Sequence, residues 1–145
     1  MTPDFTIQQI ADAAQLTRYQ VEAWISRGHF APENPVENGK ARKFTADDAV
    51  VLSALAEFNR LGLAPTTVSM HTTQLRYRAG RGSLFVITSI MRQAGNSGDE
   101  IDLTAGDIIE AADIGRIAGD PQVRAFAAVN IAQIELRVRA SLGID

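Results

Sequence analysis

Along the first third of the chain, apolar residues recur every three to four positions. Ile7, Ile10, Ala11 and Ala14 make one buried face of a short helix over 7–14, with Thr6 as its N-cap and Gln9 at the capping-box position. Gln15 and Leu16 interrupt that pattern, and Thr17 caps a second helix over 18–27 whose inner stripe is Val21, Trp24 and Ile25. Gly28 falls just past its end, where positive φ is needed. Two short helices joined by so tight a turn form a helix-turn-helix unit. Residues 36–42 read as a hairpin, because Asn38-Gly39 is the dipeptide that a type I′ turn prefers, and Pro32 and Pro35 hold the approach extended. Thr45 caps a third helix over 46–61, with Asp47 and Asp48 in its first turn and Val50, Val51, Ala54, Leu55 and Phe58 inward. Gly62 stops it, and Pro65 opens a fourth helix to about 78 with a weaker stripe at Val68, Met70 and Leu75.

The pattern changes past Gly80-Arg81-Gly82. Residues 83–91, SLFVITSIM, are short, apolar and β-branched, which predicts a strand. A loop is expected over 93–98, a partner strand over 100–103 and a helix from Thr104 to about 112, while 113–121 carries no definite pattern. The tail has two readings. Val123, Ala127, Ile131, Ile134, Val138 and Leu142 fit one long amphipathic helix; alternatively 123–129 is a strand, Asn130 an N-cap and 131–142 a helix. The fold class expected is mainly α with small β content. A winged helix-turn-helix over 1–78 precedes a small α/β or helical domain over 83–145.

Composition narrows the function. Apolar residues make up 46% of 145, enough for a core in one or two small domains. No apolar run approaches the roughly 20 residues of a membrane helix, and the first residues lack the basic and apolar regions of a signal peptide, so a cytoplasmic protein without membrane contact is expected. The absence of cysteine removes disulfides, thiolate metal sites and a cysteine nucleophile. His29 and His71 stand alone, and Gly80–Gly82 is too short for a phosphate loop, so neither an enzyme nor a cofactor or metal is expected. The formal charge of −3 is unlike that of a protein that coats nucleic acid. Any contact with DNA must come from a few placed cations. Four arginines lie at 76, 78, 81 and 92, and seven acids lie between 99 and 120 against Arg116. The arginine group fits either a wider DNA footprint or pairing with the acidic segment of a second chain, and the acidic segment should face away from phosphate.

Several features together resemble the MerR family of winged helix-turn-helix proteins over about 7–68. They are the opening IQQIADAAQLT, the spacing of Val21, Trp24, Arg27, Gly28 and Pro32, the wing residues Glu37, Asn38, Gly39, Arg42, Phe44 and Thr45, and Asp47-Asp48 at the next helix start. The resemblance implies a second helix in the major groove, a wing on the flanking backbone and a homodimer on double-stranded DNA. It places Thr17, Arg18, Tyr19 and Gln20 near bases or phosphates and Arg42 near phosphate. Among the residues themselves, Arg18 suits a guanine edge, Gln20 an adenine, and Lys40, Arg42 and Lys43 form a cation cluster suited to phosphate. Arg27 and His29 are further candidates, and Trp24 reads as core. Glu22, where such proteins often carry arginine, is expected to shift the DNA preference. The function expected is a bacterial or phage transcription regulator. Two alternatives stand beside it. One is a DNA architecture or assembly factor, since excisionases and terminase small subunits use a similar reader. The other is a ligand-sensing or protein-interaction module dominated by the C-terminal part, through which another protein would bind.

Overall fold

The structure is a computed structural model that describes residues 4–37, 39–78, 80–93 and 100–144, without the side chains of 92, 93 and 100–102. Asn38 and residues 94–99, which include most of the expected loop, lie outside the described residues. Helix α1 is Ile7–Ala13, α2 is Arg18–Ser26, and α3 is Ala46–Arg60. Threonine starts all three. The hydroxyls of Thr6, Thr17 and Thr45 accept the backbone N–H of Gln9, Gln20 and Asp48, and each of those side chains accepts the cap's own N–H in return. Such reciprocal caps satisfy donors that a helix start otherwise leaves open. Between α1 and α2 the chain turns at Gln15, whose φ is +58°, and Leu16 N–H donates to Ala11 O at 2.9 Å. Gly28 follows α2 with φ +78°, as its position predicts.

Helix α4, Pro65–Thr72, has proline at its start, and the chain tightens into a 3-10 turn over Thr73–Tyr77. The fourth helix is therefore shorter than expected. Val68 and Leu75 are buried, whereas Met70 is exposed.

Strand β1 is Leu84–Gln93, β2 is Glu100–Ile109, and β3 is Val123–Asn130. Among the described residues these form one antiparallel sheet of order β2-β1-β3. The helix expected from Thr104 to about 112 is absent. Pairing with β1 runs unbroken from Leu84↔Ile109 to Gln93↔Glu100, and Gly106 has poor helix propensity. Gly106 also lies where α4 meets the sheet; a Cβ there would sit 2.8 Å from His71 Cβ and 3.1 Å from Phe85 Cζ. The segment without a definite pattern holds a 3-10 turn over Ala111–Asp113 and the short helix α5, Ile114–Ala118. In the tail, strand followed by helix is the correct reading. Asn130 ends β3 and its side chain accepts Gln133 N–H, starting α6 over Ile131–Leu142.

Helix α3 is the hub. Ten of its residues are buried, and Phe58 meets Phe85 of β1 edge to face with ring centres 5.8 Å apart. Ile131, Ile134 and Val138 of α6 join the same core as Ile10 and Ala11 of α1 and Val50–Phe58 of α3. The segments before and after Gly80–Gly82 thus share one continuous core. Phe85, Ile87, Ile108 and Val129 face the helices, while Val86 and Ile109 point to the opposite sheet face, beside Ile117 of α5. No helix among the described residues is long and apolar enough to cross a membrane.

Candidate nucleic-acid interface

Helix α2 buries Val21 and Trp24 and half-buries Ile25, which turns Arg18, Tyr19 and Glu22 outward. Tyr19 is 77% exposed. Arg18 Nε donates to Glu22 Oε1 at 2.9 Å, one helical turn on. Thr17 and Gln20 are engaged with each other: Gln20 Oε1 accepts Thr17 N–H at 2.8 Å, so the side-chain oxygen of Gln20 serves the cap. Its use against adenine would need that bond to open, leaving Gln20 first of all a structural residue. Arg27 is the exposed C-cap of α2, and His29 beyond it is half-buried.

The wing is a loop closed by one turn. Lys40 N–H donates to Glu37 O at 3.2 Å, and Gly39 has φ +76°. No strand ladder flanks the turn among the described residues, so the expected hairpin is not formed there. The loop is held at its base instead. Phe5 and Phe44 exchange backbone hydrogen bonds at 2.8 Å each, and Asn34 Nδ2 donates to Lys43 O at 3.0 Å. Two prolines and few inward apolar side chains leave little to pair a second strand against. Lys40 pairs with Glu37 at 3.3 Å on the exposed tip, and Lys43 is exposed. Arg42 turns inward and is half-buried, its Nε buried with no hydrogen-bond partner among the described residues.

These elements enclose a groove of about 470 Å³. Its walls are Thr6 and Ile7 at the start of α1, Arg18, Glu22 and Ile25 of α2, and Val36, Ala41, Arg42 and Phe44 of the wing. Arg18 and Arg42, 24 positions apart in the chain, thus share one concave surface.

The second basic group has another job. Arg76 Nη2 lies 2.7 Å from Asp48 Oδ1, whose side chain is fully buried, and also donates to Ala31 O at 2.8 Å. Asp48 in turn accepts the N–H groups of Glu33 and Thr45. Arg78 bonds Asp47 at 2.8 Å, Glu135 of α6 and the carbonyl of Leu75 at 2.7 Å. Burial works against the charge of Arg78, but the hydrogen bonds to Glu135 and Asp47 outweigh it and raise its pKa. Neither a DNA footprint nor the acidic segment of another chain is where these two arginines point. Their partners are Glu33, Asp47, Asp48 and Glu135 of the same chain. The sequence does offer a signal, since Asp47 and Asp48 open α3 in a place where only one acid is needed to cap. Arg81 remains exposed.

Residues 5–75 match the family model described as "MerR HTH family regulatory protein". The match takes in α1, α2, the wing, α3 and α4, so the resemblance read over 7–68 holds for this part of the chain. No curated protein matches the chain.

Proposed function

We propose that this protein is a sequence-specific DNA-binding transcription regulator of bacterial or phage type. It would act in the cytoplasm as a homodimer, without catalytic chemistry of its own. Helix α2 enters the major groove, and the wing rests on the flanking backbone. The observation that carries this reading is the groove between α2 and the wing, which sets Arg18 and Arg42 on one concave surface inside the family-matched segment. Arg18, Tyr19 and Glu22 face the bases, with Thr17 and Gln20 fixing the helix start beneath them. Arg27, Lys40, Arg42 and Lys43 supply phosphate contacts. The C-terminal part, 83–145, holds the two copies together.

The charge supports a reader that works through placement. With a net charge of −3, the chain has no general attraction for phosphate, and affinity must come from these few side chains. The test is fluorescence anisotropy on candidate operator duplexes with Arg18→Ala and Arg42→Ala. Each is expected to weaken binding about tenfold, and Arg42→Ala to reduce the salt slope by about one phosphate contact. Full affinity in both variants would mean that the reading face is elsewhere.

A further inference from the structure

We infer that Glu22 is a positioning residue for Arg18, which reads guanine through its two Nη groups. This rests on the DNA-binding function proposed above. Arg18 is the first residue of α2, at the positive end of the helix dipole, where a cation is disfavoured. The first turn of α2 contains no acid. Glu22, one turn on, supplies the counter-charge, and it does so through one specific atom: its Oε1 accepts Arg18 Nε at 2.9 Å.

That choice of atom matters. With Nε engaged, the plane of the guanidinium is fixed. The two Nη groups make no hydrogen bond among the described residues, and the side chain is 60% exposed. Two parallel Nη donors match the O6 and N7 acceptors of guanine in the major groove. The start of the helix is itself immobilised by the reciprocal Thr17–Gln20 cap, so the backbone beneath Arg18 has little play. Arg18 and Glu22 line the same groove as Arg42, which sets the pair on the surface assigned to DNA. An exposed pair one turn apart adds little to folding. Its worth lies in holding a long side chain in one pose before DNA arrives, which lowers the ordering cost of the base contact.

The experiment is selection of bound duplexes from a randomised library, followed by competition binding, on the full chain and on Arg18→Ala, Glu22→Ala and Glu22→Gln. The wild type should prefer guanine at one position of the site, and Arg18→Ala should erase that preference. Glu22→Ala should weaken it roughly tenfold while binding to unrelated duplex is unchanged or tighter, because a negative charge has left the face that meets phosphate. Glu22→Gln should keep the preference, since its amide oxygen still accepts from Nε. Retention of the wild-type preference by Glu22→Ala overturns the inference and leaves the DNA-binding reading intact. Equal loss in Glu22→Gln and Glu22→Ala also overturns it, because charge alone would then set the preference. A wild type with no base preference sinks the functional reading itself.

Discussion

The reading face and the seam behind it use the same residue types in opposite ways. On the face, Arg18 and Lys40 pair with Glu22 and Glu37 of their own turns, and all four are exposed. At the seam, Arg76 and Arg78 are mostly buried and reach acids 28 to 57 positions away, joining the wing root, the start of α3 and α6. Local, solvated pairs can open to accept a ligand at little cost, whereas buried pairs cannot open without stranding a charge. The face is therefore built to take on a ligand, at Lys40 by giving up Glu37 and at Arg18 through the Nη groups that Glu22 leaves open, and the seam to keep its partners. If that division is right, substitutions at the seam should change stability, and substitutions on the face should change DNA binding alone.

The largest effect is expected from Arg76→Ala. Asp48 would keep its two backbone donors but lose the cation that lies 2.7 Å from its fully buried carboxylate. A loss of about 3 kcal/mol in urea unfolding is expected, in line with breaking a buried pair from one side. Arg42→Ala should stay within about 0.5 kcal/mol of the wild type, since Arg42 has no hydrogen bond to lose at Nε. Similar losses in both variants would erase the distinction between face and seam.

Next comes Gly106→Ala, at the seam between α4 and the sheet. The added methyl would meet His71 Cβ at 2.8 Å and the Phe85 ring at 3.1 Å, both within packed elements. The strain should cost about 1–3 kcal/mol, read as a shift in the unfolding midpoint. A neutral outcome would show that the sheet and α4 can move apart, and that the seam is looser than its buried ion pairs suggest.

The two regions also differ in how far the sequence reveals them. Helix starts at Thr6, Thr17, Thr45 and Asn130 depend on atoms within three residues of each other, and each is legible without a structure. So are the Gly28 turn and the buried faces of α1, α2 and α3. The partners of Arg76 and Arg78 are distant in sequence, and nothing local distinguishes them from surface cations. The start of strand β2 over 100–103 is legible, but its continuation from Thr104 is not, for the same reason. Thr104 is a good cap in isolation, and only ten consecutive pairs with β1 make it a strand residue. The wing lies between these cases: its turn residues are legible, but pairing of its flanks depends on apolar contacts that this loop lacks. Of the candidate site, Arg18 and Glu22 stand on the outer face as the helix period requires. The inward turn of Arg42 depends on the tertiary setting of the wing, whereas the cap role of Gln20 is legible in its spacing from Thr17, the same as that of Gln9 from Thr6.

A smaller gain in stability is expected within the reader. Gln15 holds φ +58°, a conformation that strains an L side chain, at the turn between α1 and α2. Its carbonyl accepts Arg60 Nη2 at 3.0 Å, a bond that any residue could keep. Gln15→Gly should therefore raise stability by about 0.5–1 kcal/mol and leave DNA affinity unchanged. Weaker binding in a more stable variant would show that the Gln15 side chain belongs to the face.

The smallest effect concerns pH. His71 on α4 is buried against β2, with its Nε2 2.9 Å from Thr104 Oγ1, and burial lowers its pKa from 6.5. In the unfolded chain the imidazole regains its ordinary value. As pH falls through 6.5 the unfolded state takes up a proton before the folded state does, and stability drops. The contribution of the neutral ring is complete above 6.5, declines below it, and levels off once the folded ring is also protonated. Many carboxylates titrate at lower pH, so the quantity to measure is the difference in unfolding free energy between wild type and His71→Gln. It should move against the wild type as pH falls from about 8 to about 5.5, with a slope of at most one proton. A difference that stays constant across that range would mean that the ring is solvated, and that the sheet does not close over α4 as tightly as Gly106 implies.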